Sequence, residues 1–484
     1  MNNLQLPLNE LAQLSLQNLK KYKTLERASS SCVYKQKWNA AGIRAEQIRT
    51  YEDFSQLPYI TSKELRNKIY ENPIEEILCS KPVHWFSSSG TTGMPKWLPY
   101  GQRDIDLFME IRDRIYNMLS PVDDLRLITV TSPPPYAEDG LAALNIIQGL
   151  KNENLMESVT LSLTQTTNED VFNFALNTKP NAMLAFPSFA ARFAEIIEEN
   201  APEAAKKQFS NQKTLRNFLL YLVTRFKKIK PKDLSEFKWG LFGGEPLDPY
   251  REVIAKVYGL EPYEIYVFTE FMPPTMECRM HDGMHLWLDI CLPEIILESE
   301  LEKERLDSNY VPKAIPLWKA IKGQRGEYVL TTFGEALPLV RYRFGDMIQV
   351  VGTEPCGCGC THPRIKIPRR SDPSIICLGA IRFPTAKFEE KLLSKTSYGQ
   401  AQMWELEIGR EGYHPKLIIR LEADGEIKEK ELFTKEIANK LLEIDIIKTG
   451  LDNKILAQPE VKIDRFLNKG RPVTKVGSII YEGE

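Results

Sequence analysis

The chain lacks a basic field, a long apolar run and a leader-like start. Of its 484 residues, 63 are Lys or Arg and 65 are Asp or Glu, for a net charge of −2. A nucleic-acid binder needs a concentrated positive face, and this balance argues against one. No apolar stretch reaches the roughly 18 residues of a membrane-spanning helix. Met1 to Tyr22 has neither a basic n-region nor a continuous apolar core, so it does not read as a signal peptide. Leu8, Leu11, Ala12, Leu16 and Leu19 instead mark one face of an amphipathic helix. A cytoplasmic protein with no nucleic-acid partner and no membrane partner is the expectation. Internal repeats and low-complexity linkers are also missing, which excludes a repeat array.

What is present is an ordinary globular composition, 43% hydrophobic and 26% charged, long enough for two or three packed units. The first 80 residues look largely helical. After Pro82, short apolar strands (125–130, 181–186, 239–242, 264–268) alternate with helical patterns (104–119, 189–199, 249–257), which argues for an α/β unit with a mixed or parallel sheet. From about Leu286 to Val350 strands dominate and suggest a β-rich subdomain. The last 110 or so residues read as a small α+β domain, with strands at 402–408, 416–421 and 460–466 and a helix at 428–443. The fold class is therefore α/β, a large N-terminal domain of mixed sheets with helices plus a β-rich subdomain, and a small α+β C-terminal domain. The boundary is placed at 371/372, giving domains 1–371 and 372–484.

The sharpest motif is Ser88-Ser89-Gly90-Thr91-Thr92-Gly93-Met94-Pro95-Lys96. Two glycines let the backbone approach a ligand and expose its N–H groups. The hydroxyls supply donors to phosphate oxygens, and Lys96 supplies positive charge. Such a loop suits a polyphosphate, although it is not the usual G-x-x-x-x-G-K-[ST] nucleotide loop.

This loop resembles the signature of the adenylate-forming enzymes, and four further segments follow in the family's order. They are Gly243-Gly244-Glu245-Pro246, Tyr266-Val267-Phe268-Thr269-Glu270 (with Val267 where the family has Gly), Tyr342-Arg343-Phe344-Gly345-Asp346 and the incomplete hinge Arg370-Ser371-Asp372. The phenylacetate–CoA ligase-like branch is suggested by Gly283-x-His285-x-Trp287, Gly326-Glu-Tyr-Val-Leu-Thr-Thr, Ala336 through Arg343, Cys356-Gly-Cys358-Gly-Cys360 and Leu57-Pro-Tyr-Ile-Thr.

The resemblance implies roles residue by residue. Residues 1–371 would be an AMP-binding domain and 372–484 a mobile lid swinging about Asp372. Thr91, Thr92 and Lys96 would steady the β- and γ-phosphates, with Ser88, Ser89, Gly90 and Gly93 completing the loop. Gly244, Glu245, Pro246 and Thr269 would border the nucleotide. Tyr266 would stack on adenine, Asp346 would accept both ribose hydroxyls, and Arg370 would assist there. Glu270 would bind Mg²⁺. Tyr136, Phe242 and Gly243 would line the acyl pocket, the small residues at 243 and 244 leaving room for a flat ring. The family's usual C-terminal lysine falls on Ser478 here, so Lys475 is the candidate substitute, with Lys469 as a rival.

Eight cysteines, three of them packed at 356, 358 and 360, point to metal or redox chemistry before disulfides. Cys356 and Cys358 can place two thiolates on one ion. Cys278 and His285 can supply two more ligands, closing a tetrahedral structural Zn²⁺ site. His281, Cys360 and His362 are rival ligands. The implied activity is an ATP-dependent ligase that adenylates a small, aromatic carboxylic acid and passes the acyl group to a thiol, coenzyme A first and a carrier protein next. An amine or other nitrogen acceptor, and a non-catalytic adenylate-binding protein, are the alternatives. A homodimer is allowed by the sequence.

Overall fold

The computed structural model describes residues 3–87, 94–119, 122, 125–131, 155–162, 178–370, 375–378, 381–412, 414–423, 427, 429–464 and 477–481. The phosphate loop 88–93, Tyr136, Asp372, Lys469 and Lys475 lie outside these residues.

One sheet of 13 strands forms the spine. Its first half is parallel: Leu125–Thr131, Leu155–Ser162, Ala182–Ala185, Trp239–Phe242 and Glu261–Phe268 run alongside one another. Ala182–Ala185 and Trp239–Phe242, in the middle of this half, are apolar runs buried at every residue, as expected of strands covered on both faces. At Glu261–Phe268 the pairing switches, because Phe271–Glu277 returns antiparallel across a tight turn at Thr269–Glu270. The antiparallel half continues through Met284–His285, Arg364–Arg370, Tyr342–Gly352, Arg325–Thr332, Cys291–Leu297 and Ala314–Pro316. The expected β-rich subdomain is thus continuous with the α/β strands in one sheet. Hydrogen bonds pass from strand to strand without a break, and Tyr59, Ile296, Leu301, Ala314, Val329 and Met347 form a small buried cluster of their own there.

The N-terminal helices pack over the antiparallel half. Helix Leu8–Lys21 buries Leu11, Ala12 and Leu19, and also two polar residues. Ser15 Oγ donates to the Cys291 carbonyl at 3.0 Å and Asn18 Nδ2 to the Asp289 carbonyl at 2.7 Å. Helix Ser62–Glu71 begins in a capping box: Thr61 Oγ1 accepts from Glu64 N–H while Glu64 accepts from Thr61 N–H. Just before it, Ile60–Thr61 pairs in parallel with Tyr342–Arg343. Arg341 fixes this segment. Its buried guanidinium donates to the Leu57 carbonyl (2.7 Å), the Tyr59 hydroxyl (2.8 Å) and Glu294 (3.1 Å).

On the parallel half, helix Pro187–Asn211 passes through Pro202 and packs with helix Arg251–Tyr258 over a core that includes Phe193, Ile197, Phe242 and Ile254. The C-terminal stretch forms a separate four-stranded sheet, Glu460–Ile463, His414–Ala423, Ala401–Glu411 and Gly477–Tyr481 in spatial order. Phe388, Trp404, Leu406, Ile419 and Phe433 give it a core of its own. It touches the helix layer through His414–Glu195 at 2.5 Å and Lys454–Glu199 at 3.2 Å, with Arg410 over the Tyr250 ring. Among the described residues no helix is long and apolar enough to cross a membrane.

Candidate active site

The change from parallel to antiparallel pairing projects Glu270 from the turn at the strand ends. Its carboxylate is buried, and the Lys96 ammonium meets it. Lys96 sits just ahead of strand Trp97–Tyr100, which pairs with His84–Ser87, so residues 88–93 connect two strands held side by side. Tyr100 donates its hydroxyl to the Thr269 carbonyl at 2.6 Å and ties this hairpin to the Glu270 turn. Lys96 Nζ also donates to Ser62 Oγ (2.8 Å) and lies 3.0 Å from the Tyr342 hydroxyl. Tyr342 in turn donates to Glu270 at 2.8 Å. Burial alone would raise the Glu270 carboxyl. The Lys96 charge, with hydrogen bonds from Lys96 and Tyr342, outweighs it and holds the group below its ordinary value.

A second pair lies nearby in the sheet. Tyr266, two residues before Phe268 on strand Glu261–Phe268, donates its hydroxyl to Asp346 Oδ2 at 2.5 Å. Asp346 follows Gly345, whose φ of 81° bends the strand, and its backbone stands opposite Arg370 in the ladder. Tyr266, Asp346 and Arg370 are therefore brought together from three strands.

The glycine turn has its own fit. A Cβ on Gly243 would meet the Ile265 carbonyl oxygen at 2.6 Å. Gly244 has φ of 81°, and a Cβ there would strike the Phe186 ring at 2.0 Å. The space beside Gly244 is therefore filled by a ring of the protein itself. Glu245 accepts from Ser188 N–H at 2.5 Å, at the N-terminus of helix Pro187–Asn211, where a carboxylate complements the free donors and the helix dipole. Pro246 follows in the same turn. Phe242 departs from expectation: it is fully buried in the helix-side core, its ring filling the space above Gly240, and does not line a pocket. All four residues of its strand are buried, so alternation could not tell which face each one takes.

Sequence reasoning gave no role to Ser62, Tyr342 or Glu264. Tyr342 was legible as the first residue of Tyr342-Arg-Phe-Gly-Asp346. Ser62 carried no signal beyond its place at the start of helix Ser62–Glu71. Glu264, two residues before Tyr266, is half-buried and accepts from Leu247 N–H at 3.2 Å. Burial, reinforced by the charge of Glu277, pushes its carboxyl up to about 7.

At the other end of strand Phe271–Glu277 from Glu270 the four predicted metal ligands converge. Cys278 follows strand Phe271–Glu277, His285 lies on Met284–His285, and Cys356 and Cys358 lie on the turn before Arg364–Arg370. Their donor atoms all fall within 4.8 Å of one another. Cys278 and Cys356 sulfurs are 3.7 Å apart, and Cys358 Sγ is 3.5 Å from His285 Nε2. Two soft thiolates on one turn plus a thiolate and an imidazole from neighbouring strands form a fitting zinc donor set. The rivals sit elsewhere. His281 bridges Glu261 and Glu277, and His362 Nδ1 accepts from Leu288 N–H at 3.1 Å. Cys360 is outside the converging four.

Comparison with known proteins finds similar sequences and similar folds. A model of the GH3 family N-terminal domain matches residues 12–200. The phenylacetate-coenzyme A ligase of Escherichia coli (strain K12) is 26% identical over 434 residues, 86% of this chain and 83% of that protein. The phenylacetate-coenzyme A ligase of Thermus thermophilus is 25% identical over 461 residues, 93% and 88% of the two chains. A 2-hydroxyisobutyryl-CoA ligase in complex with 2-HIB-AMP and CoA shares the fold over 99% of this chain and 92% of that one, with TM-score 0.63 and 20% identity. A GH3.15 acyl acid amido synthetase covers 95% and 88%, with TM-score 0.53 and 15% identity.

Proposed function

We propose that this chain, built on the fold of the adenylate-forming superfamily and similar in sequence to phenylacetate-coenzyme A ligases, is an ATP-dependent ligase that adenylates a small carboxylic acid and transfers the acyl group to coenzyme A. The observation that carries the reading is the buried meeting of Lys96, Glu270 and Tyr342 at the strand ends, with Tyr266 and Asp346 beside it. A polyphosphate-binding lysine, a metal-binding carboxylate and a ribose acceptor are what adenylation requires.

The chemistry is in-line attack of the acid's carboxylate on the α-phosphorus, with pyrophosphate leaving. The protein's part is to position the groups and neutralise charge. Lys96, with Thr91 and Thr92 of the loop, steadies the β- and γ-phosphates. Tyr266 stacks on adenine, and the two oxygens of Asp346 suit a vicinal diol. Mg²⁺ would be held by Glu270. The carboxylate fits the role, because an ammonium cation already stands against it. Bound there, the ion would draw charge off the phosphate oxygens. Cys278, His285, Cys356 and Cys358 would hold a structural Zn²⁺ that clips the 352–364 turn to the strands behind Glu270. The small C-terminal sheet would act as the lid, pivoting near Asp372 between the two half-reactions, with Lys475 as the cation it delivers. The setting is cytoplasmic.

The acceptor has a second reading. The GH3-domain match and the likeness to an acyl acid amido synthetase favour transfer to an amine. Pyrophosphate release with ATP, Mg²⁺ and a panel of aryl and short-chain acids tests the proposal. Acid-dependent release that is absent in Glu270→Gln supports adenylation. A product thioester with coenzyme A, against an amide with amino acids, separates the acceptors. No acid-dependent release with any acid would overturn the ligase reading.

A further inference from the structure

Helix Leu215–Phe226 is built inside out. It runs back along helix Pro187–Asn211, yet the residues it turns inward include Asn217 and Thr224, both only 6% exposed. Asn217 Nδ2 donates to the Gln212 carbonyl and Thr224 Oγ1 to the Tyr221 carbonyl, so the inward polar groups are satisfied within the hairpin. The outward face carries Leu215 (74% exposed), Phe218, Leu219 (52%), Val223 and Phe226 (88%). These positions recur at i, i+3, i+4, i+8 and i+11 and form one stripe about 18 Å long along the helix axis. Scattered exposed apolar residues need no explanation, but a continuous stripe marks an interaction surface.

The charge around the stripe names its partner. Nine of the 27 residues from Lys206 to Lys232 are Lys or Arg, and none is Asp or Glu. Of the bordering acids, Asp233 pairs with Lys227 and Glu198 lies 3.8 Å from Lys228. In a chain of net charge −2 this is a concentrated positive rim. A second copy of the chain would bring the same rim against itself, which like-charge repulsion opposes. An apolar stripe between basic flanks matches a surface that is negative outside and apolar beneath. We propose that Leu215–Phe226 is a docking helix that lies in the plane of an anionic lipid surface, seating its stripe among the acyl chains while the flanking Lys and Arg meet the headgroups. This departs from the expectation of no membrane partner, which rested on the lack of a spanning segment and says nothing of a helix lying on a lipid surface.

Flotation of the full chain with vesicles tests it. Binding to mixed phosphatidylglycerol–phosphatidylcholine vesicles, weak binding to phosphatidylcholine alone, and release by high salt are expected. Leu219→Glu/Phe226→Glu should lower partition by at least about tenfold. Both side chains face solvent, so far-ultraviolet circular dichroism and the melting midpoint should stay as in the parent. Lys213→Gln/Arg225→Gln should weaken binding to the mixed vesicles alone. No binding to mixed vesicles, or equal binding by the Leu219→Glu/Phe226→Glu variant, would overturn the proposal. A solution dimer dissolved by Phe226→Glu would assign the stripe to a second copy instead. Retention on immobilised polyglutamate without vesicle binding would assign it to an acidic protein, and either result overturns the lipid reading.

Discussion

The pairing of Lys96 with Glu270 makes a quantitative prediction for Lys96→Met. In the parent both side chains are under a tenth exposed and each is the other's counter-charge. Removing one member of such a buried pair leaves an uncompensated charge and costs about 3–5 kcal/mol. Glu270 can escape part of that cost by taking up a proton. In the parent its carboxyl is depressed, so its contribution to stability is present above the unfolded value of 4.5 and is lost as pH falls through the lower folded value. In Lys96→Met the burial that Lys96 now offsets is unopposed, apart from the Tyr342 hydrogen bond. The carboxyl rises, and stability should fall as pH climbs above 4.5. Urea denaturation followed by tryptophan fluorescence should show a loss of about 3 kcal/mol at pH 8 and clearly less at pH 5. Lys96→Met/Glu270→Gln should regain about 2 kcal/mol relative to the sum of the single losses, because no charge is left buried. All three variants should lose acid-dependent ATP–pyrophosphate exchange, so activity and stability separate. A single-variant loss below about 1 kcal/mol at pH 8, or strictly additive losses, would refute the buried pair. The same pair implies that Mg²⁺ and ATP bind in competition with it, since Glu270 and Lys96 must each exchange partners.

Three further outcomes are expected. The purified chain should carry about one zinc per molecule; Cys278→Ser or Cys356→Ser should lower both metal content and melting midpoint, whereas Cys360→Ser should keep the metal. A metal-free parent of unchanged stability would end the zinc assignment. Glu264→Gln should leave stability unchanged near pH 4 and raise it by up to about 3 kcal/mol above pH 7, because a carboxyl raised to about 7 destabilises the fold progressively as pH climbs from 4.5 to 7. A flat difference between parent and variant across that window would contradict it. Gly244→Ala should cost at least about 2 kcal/mol, from positive φ and collision with the Phe186 ring. Phe186→Ala should lessen that added cost in the double variant, and a fully additive double variant would rule out the clash.

The sequence by itself determined the parts whose information is local. Strand Trp239–Phe242 has the bounds its apolar run predicts, and helix Arg251–Tyr258 ends at Gly259, as helix-stop chemistry requires. Cys356-x-Cys358 and Cys278-x₆-His285 announced four donors, and those four converge, because each half is fixed by a short turn or strand. Tyr266 and Asp346 were readable for a similar reason: each belongs to a short motif that leaves its side chain at one strand position. Only the tertiary structure decided which distant groups meet. Lys96 and Glu270 are 174 residues apart, and nothing in either segment states that the lysine closes on the carboxylate or that Tyr342 and Ser62 share it. Phe242 faces the helices because its strand is covered on both sides, where alternation carries no direction. The stripe on Leu215–Phe226 points outward although a helical period reads alike whichever face is covered. Periodicity records that a face exists; contacts made from far along the chain decide what lies against it.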